Sequence, residues 1–93
     1  MNVIWSEEAK TSYRQIIIDL FDMWSAQVAE KLEDSVNKFI HKLQFHNHIC
    51  PPSKLKESYR KCVVSKQTSL IYQIENDTIT LIAFIDNRSN HKY

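Results

Sequence analysis

The sequence predicts an α+β domain in which a helical hairpin packs against an antiparallel sheet. Between residues 6 and 43 apolar side chains recur every three or four positions, a spacing typical of amphipathic helices. After Pro51-Pro52 the spacing changes to alternation, which indicates strands. A run of helices followed by a run of strands favours helices that cover one face of a sheet. The predicted order is β-α-α-β-β-β, and 93 residues correspond to a single domain, residues 1–93.

The first half of the chain predicts a short strand and two helices. Residues 2–5 predict a strand, because Val3 and Ile4 are β-branched and Trp5 is aromatic. Ser6 can cap the helix that follows. Ser25 is a second candidate cap, so two helices joined by almost no loop form the hairpin. The aromatic residues expected in the core are Trp5, Tyr13, Phe21, Trp24 and Phe39.

The second half predicts three strands. Alternating runs cover residues 59–65, 69–74 and 78–85. Asn76-Asp77 separates the last two runs, and since both residue types tolerate positive φ, a tight hairpin turn is expected there. Lys66-Gln67 is a weaker turn signal. The last run is apolar on both sides, which favours a central position in the sheet.

Composition excludes several classes of function. The chain has no glycine, so it has no glycine-rich loop for a nucleotide phosphate. It has neither a secretory leader nor an apolar run near the ~18 residues of a membrane span, so we expect no membrane partner and a cytoplasmic protein. In that compartment Cys50 and Cys62 are expected as free thiols, with Cys62 buried in a strand. His46-x-His48-x-Cys50 has zinc-type ligands but no fourth ligand nearby, so neither a metal nor another cofactor is expected.

Positive charge is concentrated in the second half of the chain. Residues 1–50 carry five Lys/Arg and seven Asp/Glu, a net of −2, whereas residues 51–93 carry seven and four, a net of +3. The excess is small, and it is compatible either with a basic face or with ordinary solvated side chains.

Three segments in this order resemble the RelE/ParE toxin superfamily. Residues 3–9, with Val3-Ile4-Trp5-Ser6 and Ala9, are similar to its first strand and helix start. Residues 58–74 resemble its central hairpin, with a basic residue entering a strand, a turn, and an aliphatic pair followed by Tyr72. Residues 78–88 resemble its last strand, which ends in a polar step and Arg88.

The resemblance implies a toxin that is neutralised by a cognate antitoxin, with two different targets within the superfamily. RelE-type members are similar to ribonucleases that cut mRNA on the ribosome, and ParE-type members act on DNA gyrase. The catalytic candidates of the first kind are Arg60, Arg88 and Tyr93, and the candidates for RNA or target binding are Lys54, Lys56, Lys61 and His91. Cys62 and Ser69 stand where the RNA-cleaving branch often has basic residues, which favours gyrase.

The two interpretations differ in what they require of the basic residues. RNA cleavage without a metal needs Arg60 and Arg88 to converge on one concave surface with Lys54, Lys56 or Tyr93. Gyrase poisoning needs a binding surface instead. A toxin that is inactive and retained with its antitoxin is a third interpretation. Both active interpretations predict an apolar groove where an antitoxin segment folds on binding, either as a helix or as an added strand. The sheet edge and the surface of the helical hairpin are both available for it. The same apolar surface would allow a homodimer when the antitoxin is absent.

Overall fold

A computed structural model of the chain describes residues 1–54 and 56–88. Its elements follow the predicted order. They are β1 (Asn2–Trp5), α1 (Glu7–Met23), α2 (Ala26–Leu43), β2 (Arg60–Val63), β3 (Thr68–Glu75) and β4 (Thr78–Asp86). The α+β architecture with a helical hairpin on a sheet is therefore confirmed.

Both predicted serine caps begin helices. The Ser6 Oγ accepts a hydrogen bond from the backbone N–H of Ala9 at 2.9 Å and donates to the carbonyl oxygen of Ile82 at 2.9 Å. The Ser25 Oγ accepts from the N–H of Val28 at 3.2 Å. Each cap satisfies a backbone donor that the first turn of a helix leaves open, and Ser6 also ties the start of α1 to the sheet.

The four strands form one sheet in the order β1-β4-β3-β2. The central place of β4 is as predicted, and β2, β3 and β4 are antiparallel neighbours. Asn76 and Asp77 form the β3–β4 turn with φ values of 51° and 59°. However, β1 pairs with β4 in parallel, so the sheet is mixed. The chain passes through both helices between β1 and the later strands, so no tight turn imposes an antiparallel direction on β1.

The main core lies between the sheet and the helical hairpin. Its fully buried members include Leu43, Leu70, Tyr72, Ile79 and Leu81. The opposite face of the sheet carries a second apolar cluster, Ile71, Ala83 and Ile85, against which Tyr59 packs. This opposite side is called the outer face below.

Two of the five aromatic residues expected in the core are exposed. Trp5 and Tyr13 pack against the core beside Phe84, and Phe39 is half-buried, but Phe21 is 59% exposed and Trp24 is 64% exposed. The prediction for Phe21 was wrong because it lies about 100° around α1 from Leu20, which faces the core. Trp24 caps the end of α1 at the hairpin corner, where the side chain extends beyond the packed interface.

The two cysteines form a disulfide, so the prediction of free thiols was wrong. Pro52 makes an antiparallel bridge with Arg60, and the N–H of Lys61 donates to the carbonyl oxygen of Pro51 at 3.2 Å. The segment after α2 therefore runs beside β2, which brings the Cα atoms of Cys50 and Cys62 to 5.4 Å. Cys62 is buried, as predicted. Within the described residues, neither helix is long and apolar enough to cross a membrane.

Candidate functional site

Arg60 lies at the start of β2 and is held by the loop that follows α2. It is half-buried, and its Nη1 donates a hydrogen bond to the carbonyl oxygen of Cys50 at 2.5 Å. On the neighbouring strand the Tyr72 hydroxyl donates to the carbonyl oxygen of Asn47 at 2.7 Å. Burial raises the pKa of that hydroxyl above its usual value, so Tyr72 remains a neutral donor. Both side chains thus fasten the loop to the sheet.

Arg88 follows β4 and is paired within its own turn. Its Nη2 and Nε donate to the two carboxylate oxygens of Asp86 at 2.8 and 3.1 Å, and its backbone N–H donates to the same carboxylate at 2.9 Å. These hydrogen bonds hold the pKa of the Asp86 carboxyl below its usual value. Nearby lie Leu20 and Trp24 at the end of α1.

The two arginines lie at different levels of the sheet and on different strands or strand ends. Arg60 is in register with Tyr72, whereas Asp86, two residues before Arg88, is in register with Thr68. Thr68 and Tyr72 are four positions apart on β3, which corresponds to about 13 Å along the strand. The neighbouring strands β2 and β4 lie on opposite sides of β3, each at about 5 Å from it. Each guanidinium is also turned toward an acceptor in its own neighbourhood. Among the described residues, Arg60 and Arg88 do not form one convergent basic cluster.

The predicted lysines lie near the β2 edge. Lys61 is in register with Ile71 and so lies on the outer face. The Lys56 Nζ lies 4.3 Å from the centroid of the Tyr59 ring, a cation–π arrangement, and Tyr59 packs on the same face. Lys54 is exposed in the loop before them. The two remaining candidates, His91 and Tyr93, lie outside the described residues.

A groove lies between the hairpin corner and the β2–β3 turn, with a volume of about 410 Å³. Its apolar lining consists of Leu20, Trp24, Val28 and Leu32, and its polar rim consists of Lys31, Ser35, Ser65, Lys66, Gln67 and Thr68. The sequence predicted an apolar groove at the sheet edge or on the surface of the helical hairpin, without a choice between them. The exposed Trp24 locates it, because a large aromatic side chain left in water is typical of a binding surface.

The chemistry of this groove suits a peptide better than a small polar substrate. Trp24 and Val28 offer exposed apolar contacts, at 64% and 38% exposure, while Lys31 and Lys66 add positive charge on the rim. An amphipathic segment with apolar anchors and acidic neighbours would match both features. With regard to metals, no three His, Cys, Asp or Glu side chains converge within residues 1–54 and 56–88.

Sequence reasoning missed the fastened loop between α2 and β2. Its ties join Asn47, Cys50 and Pro51 to residues that lie 10 to 25 positions later, such as Arg60 and Tyr72. No local motif marks such contacts. The pair of cysteines is a usable signal for one of these contacts, but the expected cytoplasmic compartment favours free thiols.

Several solved toxin structures share this fold. The chain superposes on a chain of the chromosomal ParDE toxin–antitoxin system from P. aeruginosa with a TM-score of 0.77 and 14% identity, covering 92% of this chain and 95% of that one. For the YoeB/ParE toxin from Agrobacterium tumefaciens the TM-score is 0.65 at 10% identity, with 92% and 98% covered. For the YoeB–YefM complex from Staphylococcus aureus it is 0.61 at 14% identity, with 90% and 93% covered.

The sequence itself identifies the family. A comparison with curated proteins finds no match. The family profile described as the ParE toxin of the type II toxin–antitoxin system parDE matches residues 3–91, nearly the whole chain. The β-α-α-β-β-β fold, with its helical hairpin on a mixed sheet, agrees with that match. The chain therefore belongs to the ParE toxin family of type II toxin–antitoxin systems.

Proposed function

We propose that this chain is a toxin that poisons DNA gyrase by binding it, without cutting RNA, and that a cognate antitoxin neutralises it. Membership of the ParE family supports a toxin. The observation that carries the choice of target is the separation of Arg60 from Arg88 across the sheet. Gyrase is the target that the resemblance to ParE-type toxins implies.

RNA cleavage without a metal makes a geometric demand that these residues do not meet. The 2′-hydroxyl must lose a proton, the phosphate must be stabilised as charge develops, and the leaving oxygen must gain a proton. The groups that do this must surround one phosphate. Here the Arg60 guanidinium donates to the Cys50 carbonyl beside Tyr72 in the middle of β3, and the Arg88 guanidinium pairs with Asp86 beside the first residue of β3. This arrangement supports a binding protein over a nuclease.

The groove beside Trp24 is the proposed site of the antitoxin. Its apolar lining and its two lysines on the rim favour a segment with apolar anchors and acidic residues, which would order on binding. One structural neighbour is itself a complex, YoeB with YefM. We place both partners in the cytoplasm. A homodimer through the same groove, when the antitoxin is absent, stays a prediction.

Controlled expression in a bacterium tests the target. We expect growth arrest with accumulation of gyrase–DNA breaks and intact ribosome-bound mRNA. The variant Arg60→Ala/Arg88→Ala should still produce breaks, and Arg14→Ala serves as the matched control for loss of an exposed arginine. Cut mRNA in the arrested cells, abolished in the double variant, would overturn the proposal in favour of RNA cleavage. Co-expression of the antitoxin should restore growth.

A further inference from the structure

We propose that Cys50 and Cys62 form a reversible thiol–disulfide site that controls how firmly the loop after α2 holds Arg60. The proposal does not depend on which target the toxin has, because it concerns only the attachment of the loop after α2 to β2. It uses both cysteines of the chain. Cys50 is half-buried in the loop, and Cys62 is 2% exposed in β2.

The disulfide and the Arg60 hydrogen bond hold the same residue. Cys62 lies two positions after Arg60 on β2, so both side chains are on the same side of the strand. The disulfide holds the Cys50 side chain, and the Arg60 Nη1 binds the Cys50 carbonyl oxygen. Opening the disulfide removes one of the two attachments and leaves Arg60 with a mobile acceptor.

The neighbouring contacts limit how far the change spreads. The N–H of Lys61 donates to Pro51 at 3.2 Å and the N–H of Ser53 donates to Tyr59 at 2.7 Å, and neither bond involves sulfur. Residues 51–53 are therefore expected to stay beside β2. The Tyr72 hydroxyl likewise holds the carbonyl oxygen of Asn47 at 2.7 Å without sulfur. The loosened segment is therefore 48–50, where Ile49 is already 41% exposed.

The difference in exposure between Cys50 and Cys62 decides which sulfur is attacked in the chemical step. A thiolate of a cellular dithiol attacks the Sγ of Cys50, the more exposed of the two residues, and a mixed disulfide forms while the bond to Cys62 breaks. The Cys62 thiolate leaves and takes up a proton. The second thiolate of the dithiol then attacks the mixed disulfide and releases Cys50, which is also protonated. The dithiol is oxidised and the protein disulfide is reduced by two electrons, and exchange with an oxidised disulfide reverses the step.

In the expected compartment, the cytoplasm, the Cys50–Cys62 site would respond to oxidants. Disulfides that form in a reducing cytoplasm are usually transient and respond to oxidants. If the chain acts there, as proposed above, its oxidised form would be populated during oxidative stress. Because the readouts below do not depend on toxicity, failure of the gyrase proposal would leave this one testable.

Hydrogen exchange of the purified full chain, with and without dithiothreitol, is the first test. Amides of residues 48–50 should exchange at least tenfold faster after reduction, while those of β3 and β4 keep their protection. The melting temperature should fall by about 10 °C, because a closed loop of this size is opened. Cys50→Ser/Cys62→Ser should behave as the reduced chain with or without dithiothreitol. Unchanged exchange at residues 48–50, or loss of protection throughout the sheet, would overturn a local switch.

Thiol trapping in cells tests reversibility. The chain is co-expressed with its antitoxin, and free thiols are alkylated in acid-quenched cells before and after a pulse of the thiol oxidant diamide. We expect two alkylated cysteines before the pulse, a fall after it, and recovery when the oxidant is removed. A chain that stays fully oxidised or fully reduced throughout would contradict the proposal.

Discussion

Arg60 donates a hydrogen bond from its Nη1 to the carbonyl oxygen of Cys50, at 2.5 Å, so one of the two arginines predicted as catalytic has a structural partner. The carbonyl belongs to the loop that the disulfide and Tyr72 also hold. An arginine in such a position stabilises the path of the chain between α2 and β2. That role differs from the one that RNA cleavage would require of it.

Replacing Arg60 should therefore affect stability more than toxicity. We expect Arg60→Ala to lower the free energy of unfolding by about 1–2 kcal/mol, because the carbonyl of half-buried Cys50 loses a charged donor. Urea denaturation measures this change, and Arg14→Ala on α1 should leave the free energy almost unaltered. Growth arrest should persist in the Arg60 variant. A stable but harmless Arg60→Ala protein would instead point to catalysis.

The Asp86–Arg88 pair should influence stability only above acidic pH. Hydrogen bonding to Arg88 lowers the folded-state pKa of Asp86, so the pair stabilises the fold above the unfolded carboxyl pKa of about 3.9 and loses this effect as pH falls through the lower folded value. The wild type should melt slightly higher than Arg88→Ala at pH 7, and the difference should disappear near pH 2. The pair is exposed to solvent, so the difference should be small. Equal melting temperatures at pH 7 would show that the pair contributes nothing.

Tyr13 should lose its phenol proton at a higher pH than an ordinary tyrosine. Burial, with a smaller effect from the Glu33 carboxylate, raises the pKa of Tyr13 to about 12. Its ring lies 5.4 Å from that of Trp5 and 4.9 Å from that of Phe84. Because the folded pKa exceeds the unfolded value of about 10, the stabilising contribution is complete below pH ~10 and is lost as pH rises toward 12.

A difference titration of the wild type and Tyr13→Phe isolates this phenol. At pH 11 an ordinary tyrosine is about nine-tenths ionised and Tyr13 should be about one-tenth ionised. Ultraviolet absorbance of the phenolate measures the difference, and the thermal stability of Tyr13→Phe should decline less between pH 9 and 11. A difference titration centred near pH 10 would mean that Tyr13 is open to water.

Variants in the groove should separate antitoxin binding from folding. Trp24→Ala and Val28→Glu remove exposed apolar contacts, and we expect each to weaken antitoxin binding at least tenfold with little change in melting temperature. Phe45→Ala is the matched control, since Phe45 is 70% exposed but lies in the loop after α2, outside the groove. Isothermal titration calorimetry with the cognate antitoxin measures the binding affinity of each variant. Equal affinity in all three variants would place the antitoxin elsewhere.

Local chemistry accounts for what the sequence predicted well. Ser6 and Ser25 begin helices because a hydroxyl satisfies an open N–H, and Asn76-Asp77 makes a turn because both residues accept positive φ. The apolar residues on both sides of β4 correctly indicated a central strand, because β4 has a neighbouring strand on each edge and packed apolar residues on both faces.

Long-range pairing accounts for what the sequence did not predict. The parallel direction of β1, the separation of Arg60 from Arg88 and the contact of Cys50 with Cys62 all depend on strand register and on the path of the loop beside β2. Periodicity does not encode these features. The family resemblance predicted the fold and the class of protein, whereas the relative positions of the basic residues follow only from the three-dimensional structure.

A supercoiling assay with purified DNA gyrase tests the central claim most directly. The assay contains relaxed plasmid, ATP and increasing amounts of the toxin, followed by detergent and protease to reveal cleaved DNA. We predict loss of supercoiling together with linear plasmid, reversed when the antitoxin is added before the toxin. Full supercoiling at a large excess of toxin, while the same preparation cuts mRNA on translating ribosomes, would contradict the account.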